Sequence, residues 1–350
     1  MKKYFFLTPL FILFYNCLSD KNIIISNKIS NVTIDTLMNE KINCRAILID
    51  KNKVWYAAND GKYGYLSMDS TAHFKGLIAK EELKLEFRSI AQTSKHIFIM
   101  SIGNPALLYR ISKDNSEVKL VYQENNEKVF YDSMQFLNDN EGFAIGDPTE
   151  NCPSFITTTN GGESWRKISC NDLPKFVAGE AFFATSNTNL IIKDDTMWMA
   201  SGGIKSKIYR SRDKGKTWET FETPIVQGGS MTGIFTADFY DRENGFITGG
   251  NYQLPNSNSK NKAITSNGGK TWDLIDDNNA FGYASCAQYF PNSSGKSIVV
   301  LANTGIFYYT QKSKKWKKLS NENDLYTIRF INEYTAVAAG KNKILKLNFN

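Results

Sequence analysis

Two arginines and two carboxylates, Arg45, Arg88, Asp132 and Glu180, follow one another at separations of 43, 44 and 48 residues. The series continues at Phe235, Ser285 and Tyr326 after 55, 50 and 41 residues. Each position opens a short apolar run, so the seven share one register of a repeating element. Guanidinium forks suit carboxylate or phosphate oxygens, and paired carboxylates can pass a proton in acid–base chemistry. Charge is costly to bury unless paired, which makes such a set in one cleft a candidate ligand site. The competing reading is ion pairing between units, with Arg45 and Arg88 holding Asp132 and Glu180.

The elements that must position these residues follow from an internal repeat. Thr158-Thr159-Asn160-Gly161-Gly162-Glu163-Ser164-Trp165 recurs as Ser211-Arg212-Asp213-Lys214-Gly215-Lys216-Thr217-Trp218 and as Thr265-Ser266-Asn267-Gly268-Gly269-Lys270-Thr271-Trp272. A worn copy spans Thr310 to Trp316. Asp or Asn bonds its own turn backbone, Gly accepts positive φ, and Trp starts the return strand, so each copy predicts a hairpin. Two further strand-like runs precede each hairpin. One pair, 133–137 and 143–145, is joined by Asn138-Asp139-Asn140-Glu141-Gly142, and a later one by Asp241-Arg242-Glu243-Asn244-Gly245. One unit therefore reads as a four-stranded propeller blade. Inner strands starting near Cys44, Phe87, Tyr131, Gly179, Ile234, Ala284 and Leu325 predict an all-β, seven-bladed β-propeller of four-stranded blades, with six blades or an open β-sandwich pair as the alternatives. A strand over 32–37 pairs with the last blade and closes the ring, removing exposed sheet edges. In this arrangement Gly146-Asp147-Pro148, Gly202-Gly203 and Gly249-Gly250-Asn251-Tyr252 join the charged column at one mouth, with the repeat hairpins on the opposite face. Gly202 and Gly203 read as backbone requirements. Asp147 reads equally as a turn residue before Pro148, and Asn251-Tyr252 as loop packing.

The frame Ser/Thr-x-Asp/Asn-x-Gly-x-Ser/Thr-Trp resembles the Asp-box of sialidase-type and BNR-repeat propellers. From about residue 40 onward the chain resembles the bacterial propellers of that superfamily that include the photosystem II stability/assembly factor type. Phe87-Arg88, Gly146-Asp147-Pro148, Gly179-Glu180-Ala181, Thr223-Pro224-Ile225, Gly233-Ile234-Phe235 and Gly249-Gly250-Asn251-Tyr252 extend the likeness to a bacterial subgroup. Some members of it carry an oxidoreductase or glycosyl hydrolase label. The resemblance implies a non-catalytic binding role like that of an assembly factor, or else a sialidase-like glycoside hydrolase. For the latter, Arg45 falls near the first-blade arginine, but Ala46 and Ile47 break the expected Arg-Ile-Pro pattern. Tyr131 or Tyr326 would be nucleophile, Glu180 its base, and Asp132 or Asp147 the general acid. Arg329, three residues beyond Tyr326, is expected by strand alternation to face away from it. No dinucleotide, haem or metal motif is present, so no cofactor and no redox chemistry are expected.

Composition agrees with a strand-rich globular chain: 350 residues, 41% hydrophobic, 13% aromatic and only two histidines. The formal charge of +7 includes no run of five basic residues, and the cluster Lys312, Lys314, Lys315, Lys317 and Lys318 reads as a solvated hairpin. Nucleic acid is not an expected partner. Lys2 and Lys3 precede an apolar run over 4–15 that is too short to span a membrane, the layout of a signal peptide. Cys17 follows where a bacterial lipoprotein carries its lipid, although Phe14-Tyr15-Asn16 departs from the usual pattern; ordinary cleavage near Ser19 is the alternative. The expected organisation is a signal peptide over 1–17, a tether over 18–31 and the propeller over 32–350. The protein is expected to be exported to the cell envelope as a monomer, touching membrane only through a lipid anchor. Its expected partner is an envelope protein or an anionic or carbohydrate ligand, held by Arg45, Arg88, Asp132, Asp147, Glu180, Asn251, Tyr252 and Tyr326. Cys152 and Cys170 flank one hairpin and are candidates for a disulfide. Cys44 and Cys286 read as buried thiols.

Overall fold

Strand Val32–Asp50 runs unbroken for 19 residues and belongs to two neighbourhoods at once. Its first part pairs antiparallel with Thr335–Phe349, matching Val32 to Phe349 and Thr36 to Leu345. Its last part pairs with Lys53–Ala58. The two chain ends of the propeller are thereby stitched together. The computed structural model describes Met1 and residues 29–80, 82–114 and 116–350. The expected signal peptide, most of the expected tether and Cys17 lie outside the described residues.

The described strands hydrogen-bond into six sheets, four of four strands and two of six. The expectation of seven four-stranded blades is therefore corrected to six. The cause is the continuity of Val32–Asp50, which puts the closing strand and the first unit's inner strand into a single sheet with Leu325–Phe330 and Thr335–Phe349. That sheet folds over itself, packing Met38, Cys44, Ile47 and Val54 against Val337, Ala339 and Ile344. The fourth unit keeps a four-stranded sheet of its own, but its inner strand is interrupted and lends two short strands to the next sheet. Glu180–Ala181 pairs with Gly202–Gly203, which in turn meets Gly233 of the next unit's inner strand. Leu190–Lys193 resumes in a separate four-stranded sheet. Gly202 and Gly233 make this crossing possible. A Cβ on Gly233 would lie 2.5 Å from the Gly202 Cα, and its φ of +130° suits no L side chain.

The core sits between facing sheets, and middle strands such as Gly142–Gly146 and Thr196–Ala200 are buried along their whole length because both faces of each sheet are covered. Trp198 stacks on Phe239 at 4.0 Å between centroids, with Ile208, Ile234 and Ile247 around them. Each such side chain contributes about 1.5–3 kcal/mol by leaving water. The repeat turns share one hydrogen-bond circuit. Gly162, Gly215 and Gly269 donate their N–H to the Thr158, Ser211 and Thr265 hydroxyls at 3.0, 2.7 and 3.0 Å. Those hydroxyls donate to Oδ1 of Asn160, Asp213 and Asn267. The same Oδ1 atoms accept from the N–H of Ser164, Thr217 and Thr271. Residue type at each repeat position is thus fixed by one turn geometry. Each turn docks on the turn that ends its own unit's inner strand, as in Gly161 N–H to Asn140 O and Gly268 N–H to Glu243 O, both 2.9 Å. Cys152 and Cys170 are joined by a disulfide across the hairpin.

Candidate functional site: the charged mouth of the channel

The charged column is built by β-bulges. Register shifts fall at Arg45, Arg88, Asp132, Phe235, Ser285 and Tyr326, each left unpaired while its neighbours pair across the strand. A bulge inserts one residue and re-aims its side chain, here at the end of the inner strand that meets the mouth. Glu180 is the exception: it pairs regularly with Gly203. Its carboxylate accordingly turns into its own unit, where it accepts from Ser201 Oγ at 2.6 Å, Tyr209 OH at 2.5 Å and the Val177 N–H at 3.2 Å, with Lys207 Nζ at 3.5 Å. Glu180 is a satisfied structural anion outside the mouth.

A cavity of about 370 Å³ opens at this mouth, lined by Arg45, Arg88, Asp147, Phe183, Phe235, Tyr252 and Tyr283 among others. The Arg45 guanidinium lies 3.9 Å from the Tyr326 ring centroid, a cation–π contact, and its Nε is buried with no hydrogen-bond partner among the described residues. Burial, then the neighbouring Arg88 charge, pulls Arg45 below the ordinary guanidinium value. Arg88 is held by Glu86 at 2.7 Å. Below the arginines the floor is aromatic. Phe183 and Phe235 stack at 3.9 Å, and Tyr283 meets Phe235 edge-on at 4.8 Å. Tyr252, half exposed, closes against Tyr283 at 5.1 Å.

Asp147 lines the cavity, and its charge acts on the buried carboxyl of Asp132. Asp132 is fully buried, and neither of its carboxyl oxygens has a hydrogen-bond partner among the described residues. Its burial, then the Asp147 charge, holds its carboxyl well above the usual range, opposed by Arg88 and by the nearby N–H groups of Asp147 and Ala184. Burial likewise raises Asp147 to about 6, against the Phe182 N–H that donates to its Oδ1 at 2.7 Å. Neighbouring carboxyls do not both ionise readily, so the Asp147 charge adds to burial in holding the Asp132 proton.

The remaining sequence candidates separate. Tyr131 is buried against the preceding unit, donating at 2.8 Å to Glu124 at the end of that unit's outer strand, so it does not reach the mouth. Asn251 caps its loop, accepting from the N–H of Gln253 and Leu254. Ser285 donates to backbone carbonyls of Leu301 and Leu325. Arg329 corrects the strand-alternation argument. Both it and Tyr326 face the channel, because the bulge at Tyr326 adds the residue that restores the parity.

Sequence reading missed the segment 182–189, which crosses the channel. Asn187 Nδ2 donates to Ile90 O at 2.8 Å, and Asn187 Oδ1 accepts from the Met134 N–H at 2.8 Å. Thr188 Oγ1 donates to Thr236 Oγ1 at 2.9 Å, and Arg329 Nη2 donates to Ser186 O at 2.9 Å. Four other units thus hold the segment, which floors the mouth with Phe183 and Thr185 and makes the pocket blind. The polar stretch Thr185-Ser186-Asn187-Thr188-Asn189, interrupting an apolar strand, was the available signal.

No family model matches the sequence, and no curated protein matches it. Solved structures do. YCF48 bound to D1 peptide aligns with a TM-score of 0.65 at 11% identity, over 92% of this chain and 97% of that one. The fold is that of a β-propeller. YCF48 from Cyanidioschyzon merolae gives 0.66 at 12% identity, over 91% and 99%. The WD40 repeats of RRP9 give 0.65 at 10% identity, over 91% and 97%. YCF48 is a photosystem II assembly factor, so the resemblance to propellers of that type extends to three-dimensional structure. At these identities the likeness is one of fold.

Proposed function

We propose that this protein is a non-catalytic binding propeller whose Arg45–Arg88 mouth receives an acidic segment of another protein of the cell envelope. The observation that carries the proposal is the blind cavity itself: two guanidiniums above an aromatic floor, one of them with a buried, unpartnered Nε–H. Guanidinium forks take carboxylates, and the stacked rings take apolar side chains beside them. The fold it shares with YCF48, a structure of which contains a bound peptide, supports a protein segment over a sugar as the occupant. Of the carboxylates that glycoside hydrolysis would pair, only Asp147 lines the cavity, with Asp132 fully buried and Glu180 bonded inside its unit. The shared circuit of the three repeat turns supports membership of the BNR/Asp-box class. Lys2, Lys3 and the apolar run after them support export, with lipidation at Cys17; Cys17→Ala should then release the protein from the membrane fraction, and retention there would reject the anchor.

Fluorescence anisotropy tests the mouth, using a labelled peptide that alternates Glu or Asp with Leu and its Gln/Asn counterpart. The acidic peptide should bind more tightly, lose affinity with added salt, and weaken about tenfold or more in Arg88→Met, the worth of one charge-assisted hydrogen bond. Equal binding of the two peptides would reject the proposal.

A further inference from the structure

The channel has a second blind end. On the face carrying the repeat turns, a cavity of about 390 Å³ lies beneath segment 182–189, whose Asn187 and Thr188 form part of its wall. Its rim is a second column, three residues beyond the bulges, that includes Leu48, Gln135, Asp238, Gln288 and Arg329. Gln92 and Lys193 complete it. The bulges that aim the first column at one mouth also return this one to the channel axis at the other.

The bonding already made on this rim decides what it has left to offer. Arg329 spends its guanidinium on Ser186 O, Ile328 O and Thr327 Oγ1, at 2.9, 2.7 and 3.1 Å, so it is a brace for the crossing segment and not an anion fork. Gln92 donates to Ile49 O and accepts from Lys113. Asp238 accepts from the Tyr289 N–H at 2.7 Å and lies in the field of Lys193. Gln288 Oε1 is buried with no hydrogen-bond partner among the described residues. A buried amide oxygen left unmatched costs free energy that a hydroxyl donor would recover. The groups facing the space are then two amides, one carboxylate and one amine, with Leu48 and Ile90 between them. A hydroxyl both donates and accepts, as a planar amide does, and a carboxylate accepts from adjacent hydroxyls. Asp238 lies in the fields of both Lys193 and Arg329, so the rim carries charges of both signs and the carboxylate is already matched by cations.

We propose that this cavity is a binding site for an uncharged, polyhydroxylated small molecule of monosaccharide size, separate from the peptide mouth. Its volume falls in the range of small-molecule pockets, with apolar walls and a few placed polar groups.

Isothermal titration calorimetry on the whole protein tests this with D-glucose, D-galactose, D-mannose and myo-inositol, against D-glucuronate and glycine as charged counterparts. At least one neutral probe should bind, about tenfold or more tighter than the charged ones. Gln288→Met and Gln135→Met should each weaken it about tenfold, the worth of one hydrogen bond, while acidic-peptide binding at the other mouth is unchanged. If Gln288→Met does not fold, the half-buried Gln135 carries the same test. Absence of binding by all four neutral probes, equal binding of a charged one, or affinity unaltered by the substitutions would overturn the proposal.

Discussion

Asp147→Asn separates the charge of this side chain from its hydrogen bond. The amide keeps an oxygen to accept from the Phe182 N–H, now 2.7 Å from Oδ1, and loses only the ability to ionise. Burial raises the carboxyl from 3.8 to about 6. That is about 2 pH units, or about 3 kcal/mol at 1.36 kcal/mol per unit, an upper figure because the side chain keeps some contact with cavity water. The unfolded chain releases this proton near 3.8 and the folded chain only near 6, so the folded state holds more protons between them. Stability therefore falls as pH rises through that window, and the penalty is complete above it. The variant should match the wild type at about pH 3 and exceed it by about 2–3 kcal/mol at about pH 8. For a chain of this size that is about 4 °C in unfolding midpoint, readable by calorimetry across the pH range. Removing the Asp147 charge also relieves Asp132, which acts in the same direction. A difference that stays constant with pH, or a variant less stable at about pH 8, would refute the reading of a desolvated carboxyl pair.

Two further outcomes follow from the scaffold. Asp213 accepts from the Lys216 and Thr217 N–H groups and the Thr217 hydroxyl, and that hydroxyl bond leads the causes that lower its carboxyl to about 2. Its stabilisation is present above the unfolded value and disappears as pH falls toward about 2, so Asp213→Ala should cost about 1 kcal/mol at neutral pH in urea unfolding; an unchanged midpoint would detach the turn circuit from stability. The Cys152–Cys170 bridge closes a sequence separation of 18 residues, and replacing both by Ser should cost about 3 kcal/mol. A loss under about 1 kcal/mol would mean that the hairpin is already held by its packing.

What was legible in the sequence was whatever repeats locally. The turn octapeptides announce themselves because hydroxyl, Asp or Asn, Gly and Trp each satisfy a bond within a few residues, and the same bonds appear at all three copies. The column from Arg45 to Tyr326 was visible for a related reason: every inner strand begins in the same register. Its aim was not visible. A bulge is a mismatch between two strands, so nothing in one strand alone says that Arg45 is unpaired while Glu180 is paired. That difference, decided across the sheet, sends one charge to the mouth and buries the other among Ser201, Lys207 and Tyr209.

The sheet count and the floor of the channel belong to the same class. The 19-residue strand Val32–Asp50 joins what the repeat separates, because hydrogen bonding continues wherever the backbone stays extended. Segment 182–189 leaves its strand only because Ile90, Met134, Thr236 and Arg329, distant in sequence, supply partners for its polar groups on the axis. By itself the sequence determined the repeating hairpins, the pairing of the chain ends and the residue types at the mouth, since these are satisfied by near neighbours or by one register. Only the tertiary structure decided which charges face solvent, which carboxyls are pushed above their ordinary range and where the channel is closed, because burial and pairing across units exist only once the ring has formed.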